Sequence, residues 1–157
     1  MKIIIDAMGG DNAPQAAVKG AVDAQREFGV EIVLVGREAE VSSCLKECGA
    51  EICEKIAVVN ADEVIDMHDD PSTAVRRKKN SSMAVALNLL RDGAGDAMIS
   101  AGSTGALLTG ATLTVKRIKG IRRAAVAPVI PNGGKGVVLI DCGANVECTP
   151  EYLLQFG

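Results

Sequence analysis

The feature that most constrains the fold of this chain is a repeated change of period. Short apolar runs, each closed by a glycine-bearing turn, alternate with stretches whose apolar residues recur every three to four positions. Residues 2–6 (KIIID) are a continuous β-branched run, the pattern of a strand buried on both faces. Ala17, Val18, Ala21, Val22 and Phe28 then share one stripe, with Lys19, Asp23 and Glu27 elsewhere, which predicts an amphipathic helix. Asp11 or Asn12 is placed to cap it, Pro14 suits its first turn and Gly29 ends it.

The alternation continues along the chain. Residues 30–35 read as a strand, 38–48 as a helix closed by Gly49, and 56–59 as a third strand. Residues 61–80 are polar and irregular. Ser81 or Ser82 caps a helix in which Met83, Ala86, Leu87 and Leu90 recur at helical spacing, and Gly93 stops it. A strand at 97–100 runs through a glycine turn into a helix to about Lys116. Residues 124–130 and 136–141 read as strands around the turn signal Asn132-Gly133-Gly134. Repeated strand–helix units predict an α/β fold with a mostly parallel sheet and helices on both faces, read as one unit over 1–157. The final segment, Thr149-Pro150-Glu151 onward, opens a helix that ends at Gly157 after about two apolar turns. Domains rarely stop on such a half-helix, so the chain reads as the N-terminal portion of something longer.

Composition removes several function classes. With 48% hydrophobic and 24% charged residues, the 157 residues are those of an ordinary folded domain, not a disordered chain. No run approaches the ~20 apolar residues of a membrane span. Met1-Lys2 through Asp6 is too short and too soon charged for a signal peptide, so a cytoplasmic protein is expected. Aromatics are 2% and the net charge is −3, which argues against nucleic acid as a partner, since single-strand binding uses aromatic platforms and basic surfaces. Five cysteines and one histidine include no C-x-x-C pair, so reduced thiols and no metal are expected. Cys44 and Cys48 share a helix face, but their spacing fits no zinc pattern.

Four segments carry chemistry. In Ser100-Ala101-Gly102-Ser103-Thr104-Gly105, a strand passes through a glycine turn into a helix. The first amides of a helix have no internal partner, and the macrodipole adds positive potential there. Gly102, Ser103, Thr104 and Gly105 thus form a candidate phosphate site at the carboxyl end of a strand. The loop is neither a Walker A sequence nor G-x-G-x-x-G. Asp6-Ala7-Met8-Gly9-Gly10-Asp11 is a second such turn. Gly9 and Gly10 allow close approach, while Asp6 and Asp11 would repel an anion, leaving them to orient donors, hold a basic side chain or accept from a hydroxyl. Arg76-Arg77-Lys78-Lys79 precedes the helix start at Ser81-Ser82, and cations beside free amides attract phosphate or an acidic partner. Lys116, Arg117, Lys119, Arg122 and Arg123 form a second basic cluster. In the last segment, Asp141-Cys142-Gly143-Ala144-Asn145, Asp141 and Asn145 stand at another strand end. Nothing marks His68 as a base for Cys142, so Cys–His catalysis is not expected.

Taken together, Asp6-Ala7-Met8-Gly9-Gly10-Asp11, Arg76-Arg77-Lys78-Lys79-x-Ser81-Ser82-Met83, Ser100-Ala101-Gly102-Ser103-Thr104-Gly105-Ala106 and Asp141-x-Gly143-Ala144-Asn145 resemble the bacterial phosphate acyltransferases (PlsX) of phospholipid synthesis. The tail Pro150-Glu151-x-Leu153-x-Gln155-Phe156 fits the same pattern, and Asn80 stands where an acidic residue is expected. The likeness covers the whole chain but only about the first half of such an enzyme. It implies a three-layer α/β/α sandwich similar to isocitrate and isopropylmalate dehydrogenases. It also implies formation of acyl phosphate from fatty acyl-[acyl-carrier-protein] and inorganic phosphate, without metal or organic cofactor. A homodimer is implied, peripheral to the inner face of the membrane, whose product feeds a glycerol-phosphate acyltransferase. Phosphate would then sit on Gly102–Gly105 with Ser81 and Ser82. Lys79, Asp141 and Asn145 would act at the reacting centre. Asp6, Gly9, Gly10 and Asp11 would form a substrate loop, and Arg76, Arg77, Lys78, Arg122 and Arg123 would dock the acidic carrier protein. Two other readings compete. One is a nicotinamide- and metal-dependent dehydrogenase of the related fold, using Asp6, Asp11 and Asp141. The other is a non-catalytic module that docks an acidic protein.

Overall fold

The computed structural model describes residues 1–50, 53–145 and 147–157. In chain order its elements are β1 (Lys2–Asp6), α1 (Gln15–Phe28), β2 (Glu31–Gly36), α2 (Glu38–Glu47), β3 (Ile56–Asn60), α3 (Ala74–Arg77), α4 (Ser82–Arg91), β4 (Ala97–Ile99), α5 (Thr104–Thr114), β5 (Val129–Ile130), β6 (Val137–Val138) and α6 (Pro150–Phe156). They fall into two units, Met1–Val115 and Lys116–Gly157.

The first unit is built on a four-stranded sheet of order β3-β2-β1-β4, every pair parallel. The register sets Ile4 against Val33 on one side and Met98 on the other, and Leu34 against Val58. Alternate side chains leave opposite faces of a strand. Ile32 and Leu34 therefore pack with Val18, Ala21 and Val22 of α1 and Val41, Cys44 and Leu45 of α2. Ile4, Val33 and Val35 pack on the other face with Ala86 of α4. Covering both faces requires the continuous apolar strands seen in the sequence. The expected α/β architecture, a parallel sheet flanked by helices on both faces, is present. Leu34 is fully buried, and its truncation to alanine would cost about 2–5 kcal/mol. Helix α5 lies on α4 through Met83, Leu87 and Ala106, and a Cβ at Gly110 would stand 2.6 Å from Leu87 Cδ1.

Helix ends follow the expected chemistry with one exception. Gly29 closes α1 in the left-handed conformation, and its N–H donates to the Gln25 carbonyl at 2.9 Å. Ser81 caps α4. Neither Asp11 nor Asn12 caps α1 through its side chain. Pro14 occupies the cap position, and the Ala16 N–H is taken by the Asn12 main-chain carbonyl at 2.9 Å, so the turn's backbone does the capping. Within the irregular stretch 61–80, Ala74–Arg77 closes one helical turn.

In the second unit the strands expected over 124–130 and 136–141 shrink to an antiparallel pair, Val129 with Val138 and Ile130 with Val137. Pro128 and Pro131 bracket β5 and supply no N–H for a ladder, while Gly136 turns back at φ +84. Two bonds extend the pairing, Leu139 N–H to the Pro128 carbonyl at 3.0 Å and Cys142 N–H to the Val126 carbonyl at 3.2 Å.

Candidate functional site

The parallel sheet brings the carboxyl ends of β1 and β4 side by side, and each strand leads into a glycine turn. At the end of β1, Asp6 is 2% exposed. Its Oδ1 accepts the Met8 N–H at 3.2 Å, and its Oδ2 accepts the Ser100 hydroxyl at 2.7 Å. Ser100 Oγ in turn accepts the Gly102 N–H at 3.1 Å. One hydrogen-bonded chain therefore ties the two turns together. Gly9 fits between them only because it has no side chain. A Cβ there would lie 2.7 Å from Asp6 Oδ2 and 2.9 Å from the Gly102 nitrogen. Gly10, at φ +104, rests against Ala101.

Past this contact, α5 begins. Ser103 is buried and caps the helix, its Oγ accepting the Ala106 N–H at 3.4 Å. Thr104 and Gly105 are exposed. Among the described residues, the amides of Ser103, Thr104 and Gly105 have no protein acceptor. Pro71 borders them, 2.9 Å from where a Gly105 Cβ would be. The start of α4 is adjacent, with Met83 Cε 3.3 Å from a Cβ position on Gly102. Ser81 is spent as a cap, its hydroxyl donating to the Lys78 carbonyl at 2.7 Å and accepting the Ala84 N–H at 3.3 Å. Ser82 is 1% exposed, with its N–H on the Glu63 carbonyl.

The sequence-predicted residues thus divide. Asp6, Gly9, Gly10, Gly102, Ser103, Thr104 and Gly105 meet at one edge, and among the described residues of the α4 start only Met83, which follows Ser81 and Ser82, is seen to reach it. The Gly102 amide is taken by Ser100, so the unpaired donors of that turn begin at Ser103. Asp11 is exposed and lines a shallow cleft with Gly9, Gly10, Ala13, Ala16 and Ala101. In the basic segment, the Lys78 ammonium is held by Asp69 and by the Val64 carbonyl at 2.9 Å. That bond, with the Asp66 N–H, lowers the Asp69 pKa from its ordinary value. Arg76, Arg77 and Lys79 are exposed. Arg76 and Lys79 border a groove that also includes Asn88, Leu113 and Thr114, toward the far end of α5.

Asp141, Asn145, Arg122 and Arg123 belong to the second unit, where Asn145 links Asp141 to Arg123 and Arg122 turns to the last helix. Asp141 sits at φ +36, and its carboxylate accepts the N–H groups of Val126 at 3.4 Å and Asn145 at 2.9 Å. Burial pushes its pKa up, but the donors from Asn145, Val126 and Ala144 outweigh this and leave it lowered. The Asn145 amide donates to the Ala124 carbonyl at 2.9 Å and accepts from Arg123 Nε. Arg122 pairs with Glu151 at 2.8 Å.

Ser100 and Pro71 are the contributors that sequence reasoning passed over. A serine just past the end of β4, level with an aspartate at the end of β1, is the available signal for the first. No local pattern marks Pro71.

A family model described as "Fatty acid synthesis protein" matches residues 1–157, the whole chain. The chain belongs to this family. It is 49% identical over 157 residues to a phosphate acyltransferase of Clostridium kluyveri, covering all of this chain and 47% of that relative. A phosphate acyltransferase of Pelotomaculum thermopropionicum is 50% identical over 157 residues, with 45% of its length covered, and one of Bacillus licheniformis is 48% identical over 159 residues, with 47% covered. The chain therefore spans about half the length of the curated relatives it matches. Among the described residues, no helix is long and apolar enough to cross a membrane.

Proposed function

We propose that the full-length protein transfers a fatty acyl group from an acyl carrier protein thioester to inorganic phosphate, forming the acyl phosphate that phospholipid synthesis consumes. The observation that carries this reading is the pair of glycine turns fused by the Asp6–Ser100–Gly102 chain, with the amides of Ser103, Thr104 and Gly105 turned away from any protein acceptor. The relatives' name, phosphate acyltransferase, supplies the reaction class.

Phosphate is its own nucleophile, so no serine, cysteine or histidine triad is needed. A phosphate oxygen attacks the thioester carbonyl carbon, and a C–O bond forms. The C–S bond breaks, and the carrier's thiolate leaves and takes up a proton. The protein's task is to hold phosphate beside the carbonyl and to stabilise the developing oxyanion. Thr104 and Gly105 hold phosphate at the start of α5, favoured by the helix dipole. Lys79, bordering the groove toward the far end of α5 with Arg76, adds positive potential that draws in the anionic substrates. Asp141 and Asn145 serve by shaping their loop, because their polar atoms are bound within it. Arg76 and Arg77, exposed and without ion pairs among the described residues, draw in the acidic carrier, with the partner subunit and a peripheral membrane position completing the assembly.

A dehydrogenase reading is weaker on one observation. Asp6, one of its candidate metal ligands, has one oxygen on the Met8 N–H and the other on the Ser100 hydroxyl. The test is direct. Purified full-length protein, incubated with palmitoyl-carrier protein and phosphate, should release carrier thiol and form hydroxylamine-trappable acyl phosphate in equal amounts. Phosphate-independent thiol release, or none, would refute the assignment.

A further inference from the structure

The chain joining the two turns has a fixed polarity. A main-chain N–H can only donate, so Ser100 Oγ must accept from Gly102. The single hydroxyl proton is then committed to Asp6 Oδ2, at 2.7 Å. Asp6 is 2% exposed and its other oxygen is fixed by Met8, so the acceptor end cannot swing away. The Gly102 peptide plane is therefore set by a side chain two residues back, and the amides of Ser103, Thr104 and Gly105 follow from that plane. Gly9 closes the arrangement from the other side, with no room for a Cβ between Asp6 and Gly102.

We infer that Ser100 is a positioning residue. By accepting from Gly102 while donating to buried Asp6, it turns the free amides of the 103–105 bend outward in the orientation that receives a tetrahedral oxyanion. It touches no substrate and acts only through the turn. The inference rests on the proposed phosphate site. It also assigns Asp6 as the anchor of the relay, whose carboxylate is engaged inside the protein and not presented to the anion.

Hydrogen bonds polarise one another in such a chain, so losing the central hydroxyl frees both ends. The test is a titration of full-length, 15N-labelled protein with inorganic phosphate, following the Gly102, Thr104 and Gly105 amide resonances. In the unaltered protein Thr104 and Gly105 should shift with phosphate, while Gly102 keeps the downfield position of a bonded amide. Ser100→Ala should move Gly102 upfield without phosphate and weaken phosphate binding about tenfold, the equivalent of one lost, well-placed hydrogen bond. Ser100→Thr, which keeps the hydroxyl, should restore both signals. If Ser100→Ala fails to fold, Ser100→Cys, similar in size and a poor hydrogen-bonding group, carries the same expectation. Unchanged phosphate affinity in the folded variant overturns the positioning role and leaves the phosphate site standing. No response of Thr104 and Gly105 in the unaltered protein overturns both.

Discussion

Gly9 and Gly102 face one another so closely that a Cβ on residue 9 would stand 2.9 Å from the Gly102 nitrogen. Real Cβ atoms do not approach main chain at that distance, so the two turns can touch only while position 9 stays bare. The same Cβ would meet Asp6 Oδ2 at 2.7 Å, an atom held by Ser100. Neither neighbour is the free end of a flexible side chain.

Gly9→Ala therefore forces the turns apart. The expected cost is about 1–3 kcal/mol of stability, as for other overpacked sites. Phosphate KM should rise in the protein that still folds. Urea denaturation and a phosphate saturation curve check the two parts. A variant with an unaltered midpoint would mean that the turns are looser than this contact implies.

Ser103 and Thr104 are neighbours in sequence with different roles. Ser103 is buried and caps α5, whereas Thr104 is exposed at its first turn. Ser103→Ala should lower stability by about 1 kcal/mol, the usual value of a cap. Thr104→Ala should leave the melting temperature alone and raise phosphate KM. Calorimetry beside steady-state kinetics separates them, and matching effects in both assays would deny the division of labour.

How much of this was readable beforehand depended on range. Period and caps are local, so KIIID, the Met83–Leu90 stripe and Ser81 announce themselves within a few residues. The glycine turns at 9–10 and 102–105 were equally visible as separate signals. What joins them was not, because Asp6 and Ser100 are 94 positions apart and meet only after β1 and β4 pair. Lys78 misleads for the same reason. It reads as one of four free cations, yet folding gives its ammonium to Asp69. The 124–130 and 136–141 runs mislead in the opposite way, since apolar residues promise strands that Pro128, Pro131 and Gly136 then cut short.

The Lys78–Asp69 pair gives a pH signature. The Asp69 pKa is lowered on folding, chiefly by the Lys78 bond and then by the Asp66 N–H. A carboxyl depressed in the folded state stabilises it above the unfolded pKa, about 3.9, and this is lost as pH falls through the lower folded value. Asp69→Asn should flatten the decline of the urea midpoint below about pH 4, and it should lower the midpoint at neutral pH, where the pair is charged. Parallel acid limbs in the two proteins would show that other carboxylates dominate the decline.

Arg76 and Arg77 are the exposed members of the basic run, and neither is ion-paired among the described residues. If they draw in an acidic carrier, reversing their sign acts on encounter and not on chemistry. Arg76→Glu with Arg77→Glu should raise KM for the carrier thioester several-fold at low salt and leave phosphate KM alone. The difference should fade above ~0.3 M salt, where the screening length falls below about 6 Å. Lys78→Ala is the contrasting change. It strips Asp69 of its partner, so its main expected effect is a lower melting temperature. Kinetics with the carrier-bound thioester and with a small acyl thioester, each run across a salt series, check this. A loss that is equal for both donors at every salt concentration would move Arg76 and Arg77 away from docking.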